Sequence, residues 1–98
     1  MKATVEIEVK HPDGLHARPA SLFVETAKSF SSEISVENLT DESEVVDAKS
    51  ILNIMTIGVS QGHKVKITAE GDDAEEAIEK LESLIESDFE VEEEAETD

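Results

Sequence analysis

Two apolar rhythms alternate along this chain, and their order constrains the fold more than any single residue does. Ala3, Val5, Ile7 and Val9 face one way in an alternating run whose other side is Thr4, Glu6, Glu8 and Lys10. Ile34 and Val36 alternate within 32–37, and Val65, Ile67 and Ala69 within 64–70. A period of two predicts half-buried strands. Residues 38–44 read as a polar, acidic loop, and residues 45–48 form a short fourth strand candidate. Between these runs the period lengthens. Ala20, Phe23, Val24 and Ala27 share one face of a helix over 17–29, closed by Phe30. Residues 50–57 read as a short helix ended by Gly58. Ala74, Ala77, Ile78, Leu81, Leu84 and Ile85 form one buried stripe of a helix over 72–87. Asp72, Asp73, Glu75 and Glu76 suit its positive N-terminal end. The order is β-α-β-β-α-β-α. Strands with one apolar face need one covered face. The expected fold class is therefore α+β: a four-stranded antiparallel sheet covered on one face by three helices. Residues 1–89 are expected to form one domain without repeat or linker. Residues 90–98 are expected to be an acidic, disordered tail.

Charge narrows the partners. Asp and Glu number 25 against 8 Lys plus Arg, a net charge of −17 over 98 residues. Such a surface repels nucleic acid and anionic lipid, so neither is an expected partner. High negative charge can mark disorder, but the apolar periodicity points to a folded core inside an acidic shell. That shell suits concentrated salt, where the Debye length falls to about 3 Å, and a halophilic source is expected. No cysteine is present, which excludes disulfides and thiolate metal sites. No apolar run approaches the roughly 20 residues that span a bilayer. The alternating start MKATVEIEVK is not a signal peptide. A cytoplasmic protein without membrane insertion is expected.

Chemistry concentrates in Gly14-Leu15-His16-Ala17-Arg18-Pro19-Ala20. His11-Pro12-Asp13-Gly14 reads as a turn, which leaves His16 at the start of a helix. The first amides of a helix have no internal partner and, with the dipole, make an anion site. Ala17 and Arg18 are the expected phosphate-cradling positions. Arg18 is the sole arginine and can hold a phosphate by two parallel hydrogen bonds. A neutral imidazole is a competent nucleophile toward phosphorus. The competing reading of such a histidine is a cap or a surface residue. His11 and His63 read as ordinary loop residues, and no pair of histidines has metal-ligand spacing. No P-loop or nucleotide fingerprint is present, so the phosphoryl donor is expected to be another protein. No cofactor and no metal is expected.

Gly14–Ala20 resembles the active-site signature of HPr, the histidine-containing phosphocarrier family of the phosphoenolpyruvate-dependent sugar phosphotransferase system. Residues 46–59, VDAKSILNIMTIGV, resemble the second signature of that family. The resemblance runs from about residue 2 to residue 88. It implies an open-faced β-sandwich and a covalent carrier rather than an enzyme. Enzyme I would phosphorylate His16 on Nδ1, assisted by Arg18. An enzyme IIA, the fructose type included, would take the group on. Ser50 resembles a serine that HPr kinase modifies in some bacteria; its plainer reading is an N-cap. By the resemblance Ile51, Leu52 and Met55 match exposed docking positions of the family; independently, a helix this apolar cannot bury every side. The plainer reading is that they pack on the sheet. The loop 40–44 is longer than usual, and Glu25 stands where many relatives are basic. Two alternatives remain open: a phosphoryl donor to a dihydroxyacetone kinase-type system, and a regulatory binding module of the same fold. His16 with Arg18 argues against the second. A monomer is expected, since a carrier must visit two partners.

Overall fold

The structure, a computed structural model, describes residues 1–90. Its elements are β1 (Lys2–Glu8), α1 (Ala17–Lys28), β2 (Glu33–Asn38), β3 (Val46–Asp47), α2 (Ile51–Thr56), β4 (Lys64–Glu70) and α3 (Ala74–Glu86). The sheet is antiparallel throughout, in the order β1-β4-β2-β3. The expected α+β open-faced sandwich is what forms.

Strand position explains how deeply each apolar face is buried. β4 and β2 are central, and Val65, Ile67, Ala69, Ile34 and Val36 are all buried. β1 is an edge, so Ala3, Val5 and Ile7 are only half-buried. On the other face opposite charges stand across the strands: Glu6 faces Lys66 and Glu8 faces Lys64, a pairing that favours this register. α3 lies over β1 and β4, α1 packs on α3, and α2 packs on α1 and β3. Phe23, Leu15, Ile54, Ile67, Leu81 and Ile85 fill the core between the layers.

Boundaries differ from the sequence reading where polar bonds outweigh periodicity. β1 ends at Glu8, yet Val9 stays buried and keeps two bonds: its amide to the His63 carbonyl at 2.8 Å, its carbonyl from the Gly62 amide at 2.7 Å. β2 extends to Asn38, which the sequence reading placed in the following loop. α3 starts at Ala74 because Asp73 is drawn elsewhere. Its carboxylate accepts the Ser31 amide at 2.9 Å, the Ser32 amide at 3.0 Å and the Ser32 hydroxyl at 2.5 Å. This clamp ties the turn between α1 and β2 to the start of α3. Beyond α3, Phe89 is buried while Asp88 and Phe89 both adopt positive φ. The expected acidic tail lies, past Glu90, outside the described residues.

Candidate functional site at the start of the first helix

The loop before α1 is held by its own backbone. The His11 ring accepts the Asp13 amide on Nδ1 at 3.0 Å, and the His11 carbonyl accepts the Gly14 amide at 2.9 Å. Gly14 has φ +59, and a Cβ there would collide with the carbonyl of Val59 and lie 2.8 Å from Ser60 Cα. Only glycine fits that close approach. Leu15, fully buried, donates its amide to the same Val59 carbonyl at 3.0 Å. The chain therefore leaves the core at Leu15 and presents His16 next.

His16 is the N-cap of α1, with extended φ −128 and ψ 167. Its ring is half-buried and makes no capping hydrogen bond, so it is not spent on the helix. The first helical bond runs from the Ala20 amide to the His16 carbonyl at 3.4 Å. Pro19 has no N–H. Among the described residues nothing accepts the Ala17 and Arg18 amides, so two free N–H groups stand at the positive end of a 12-residue helix. Ala17 has φ +55, a left-handed conformation that costs an alanine roughly 1–2 kcal/mol. Strain of this kind persists where the surroundings over-determine the backbone.

Arg18 is exposed and lines a cavity of about 430 Å³ together with Asp13, Asp88, Phe89 and Glu90. The His11 ring meets Phe89 edge-on there, with centroids 5.8 Å apart and planes at 83°. Sequence reasoning placed Arg18 beside His16 along the chain, and the two do share the first turn. The structure adds that Arg18 shares this cavity with Asp13, Asp88 and Glu90, and that His16 is not part of its lining.

On α2, Ser50 is the N-cap, its Oγ accepting the Asn53 amide at 3.2 Å. Ile54 and Ile57 are buried, whereas Ile51, Leu52 and Met55 are 41%, 75% and 43% exposed. The apolar patch expected from composition is therefore on the outside of α2, which packs against α1. His11 and His63 do lie in loops, but both are engaged. His63 Nδ1 receives the Ser60 amide at 3.1 Å and faces Asn38 Nδ2 at 3.0 Å. Asn38 went unnoticed in the sequence. The signal was parity: 34, 36 and 38 point the same way, and the third is an amide. Among the described residues no cluster of three His, Asp or Glu could hold a metal ion, and no helix is long and apolar enough to cross a membrane.

Residues 3–87 match the family model described as the PTS HPr component phosphorylation site. The chain belongs to the HPr family. Its fold superposes on HPr-C-His from Thermoanaerobacter tengcongensis with a TM-score of 0.86 and 58% identity, covering 92% of this chain and 98% of that one. Phosphocarrier protein HPr of Haloferax volcanii is 44% identical over 79 residues, 81% of this chain and 88% of that protein. That likeness supports a halophilic reading of the acidic surface. A multiphosphoryl transfer protein of Haemophilus influenzae is 51% identical over 73 residues, 74% of this chain but 15% of that protein. The chain thus spans only a small part of the multiphosphoryl transfer proteins it matches. Membership makes it a phosphocarrier domain of the phosphotransferase system, a carrier rather than a catalyst.

Proposed function

We propose that residues 1–89 carry a phosphoryl group on His16, received from enzyme I and originating in phosphoenolpyruvate, and given to an enzyme IIA during sugar uptake in the cytoplasm. The observation that supports this most is an uncommitted imidazole at an N-cap, followed by two amides without acceptors and the sole arginine. In the transfer, a ring nitrogen of His16 (Nδ1, by the family resemblance) attacks phosphorus as the bond to the donor breaks. Each oxygen of the phosphoryl group then needs donors. The Ala17 and Arg18 amides and the helix end supply preorganised ones, and the guanidinium supplies a two-pronged one. For that last contact Arg18 turns from its acidic cavity toward His16. The group leaves by the reverse step to the next acceptor.

Ile51, Leu52 and Met55 supply the docking surface, an exposed apolar patch on the helix beside α1. Ser50 is a second, regulatory position in this reading. Phosphorylation there by an HPr kinase would place a charge of about −2 next to the docking patch and oppose an acidic partner. The carrier acts as a monomer.

Incubation with enzyme I and labelled phosphoenolpyruvate tests the reading. The expected product is an acid-labile, base-stable label that His16→Ala abolishes. Undiminished label in that variant would falsify the site assignment. Offering loaded protein to a fructose-type enzyme IIA and to a dihydroxyacetone kinase phosphotransfer subunit separates the sugar route from the kinase route.

A further inference from the structure

Asn38 ends β2 on the inward side, in line with Ile34 and Val36, and is fully buried. A buried amide is costly unless its polar atoms are partnered. Its Nδ2 donates to the Ile57 carbonyl at 3.0 Å, with the Gly58 carbonyl at 3.4 Å, and faces His63 Nδ1 at 3.0 Å. Its Oδ1 accepts the Asp41 amide at 3.2 Å. His63 Nδ1 also accepts the Ser60 amide. With two donors aimed at it, that nitrogen is the acceptor of the ring and the proton sits on Nε2. Asn38 and His63 thus grip Ile57, Gly58 and Ser60, the residues that flank Val59. The Val59 carbonyl in turn holds the Leu15 amide at 3.0 Å and closes on Gly14 too tightly for a Cβ. His16 follows directly.

We infer that Asn38 and His63 are positioning residues for phosphoryl transfer. They fix Val59, Val59 fixes Leu15, and Leu15 sets where the His16 imidazole stands against the Ala17 and Arg18 amides. Neither touches the phosphoryl group. The inference rests on the carrier reading of His16 and adds the internal frame that aims it. A displacement of about 1 Å at a reacting group can cost on the order of a hundredfold in rate. Partial loosening of this frame is expected to cost about tenfold.

The test is single-turnover phosphorylation by enzyme I, with ¹H–¹⁵N spectra of the unphosphorylated protein. Asn38→Ala and His63→Ala are expected to shift the Leu15 and His16 amide resonances. Both should slow maximal uptake about tenfold while the half-saturating enzyme I concentration changes less than about twofold, because the α2 patch is untouched. His63 is half-exposed, so its variants keep the proposal testable if Asn38→Ala does not fold. His63→Asn keeps an acceptor oxygen where Nδ1 stands and should recover most of the rate. Asp73→Ala loosens the opposite end of the sheet and should leave the rate unchanged. Wild-type rates and unshifted amides in His63→Ala would overturn the inference and leave the carrier reading intact. Equal slowing in Asp73→Ala, or no recovery in His63→Asn, would also overturn it. A wild-type protein that takes no acid-labile phosphate would remove the carrier reading, and this inference with it.

Discussion

Gly14 and Gly58 share φ +59, but their surroundings differ. Replacing each by alanine therefore separates backbone strain from collision. At Gly58 nothing lies within 4 Å of the added Cβ, so only the left-handed penalty applies, roughly 1–2 kcal/mol. At Gly14 the same penalty is joined by overlap with the Val59 carbonyl and with Ser60 Cα at 2.8 Å. Both contacts are backbone, so no side chain can swing away. Overpacking of this kind costs about 1–3 kcal/mol. Moving Val59 also strains the Leu15 amide bond, worth about 1 kcal/mol net. Gly14→Ala should therefore lose roughly 3–6 kcal/mol, a large part of the 5–15 kcal/mol typical of a domain. Urea unfolding followed by far-ultraviolet circular dichroism measures both variants. Since His16 hangs from this contact, Gly14→Ala should also accept phosphoryl slowly while Gly58→Ala accepts it normally. Equal losses in the two variants would refute the claim that the Val59 contact holds the loop.

Other outcomes follow from charge and exposure. The Asp73 carboxyl is pulled down from the usual 3.8 to about 2, chiefly by the Ser32 hydroxyl and then the Ser31 amide. A depressed pKa adds stability that is fully present above pH 3.8 and is lost as pH falls through about 2. The stability difference between wild type and Asp73→Ala should therefore shrink across that window in acid unfolding titrations. A constant difference would contradict it. Leu52 is 75% exposed, so Leu52→Glu should change stability by less than about 0.5 kcal/mol. It should weaken docking to enzyme I about tenfold if the patch is central to the interface, as read by titration calorimetry. The melting temperature should rise between dilute buffer and molar KCl, because screening relieves the self-repulsion of a −17 chain. Full stability in dilute buffer with no gain in salt would count against the halophilic reading.

The elements were legible because each has a face in water and a face in the core, so period two and period 3.6 survive in the residue order. β4 and the α3 stripe from Ala74 to Ile85 emerged almost intact. Asn38 was misplaced because composition assigns an amide to a loop, whereas its burial is secured by carbonyls 19 and 20 residues away. His16 was legible through its flanking Gly and Pro. The cavity that Arg18 lines was not, since Asp88 and Glu90 are some 70 residues distant in the chain and flank the buried Phe89. Nothing in the local sequence announces left-handed Ala17, Asp88 or Phe89 either; tertiary contacts impose those angles.

A chain of charge −17 is an odd vehicle for an anion, and range resolves the difficulty. Charges farther apart than about 8 Å are largely screened at physiological ionic strength, and beyond about 3 Å in molar salt. The Ala17 and Arg18 amides act at contact distance and keep their effect. The carboxylates spread over the sheet and α3 mostly do not reach the site. Asp13, Asp88 and Glu90 are the exceptions, because they share a cavity with Arg18. In the proposed reading, a phosphoryl group on His16 would offer the guanidinium a bidentate partner. Salt weakens that attraction, but the free amides remain. The site should therefore hold its phosphoryl group in brine through backbone dipoles, with the lone arginine contributing more as ionic strength falls.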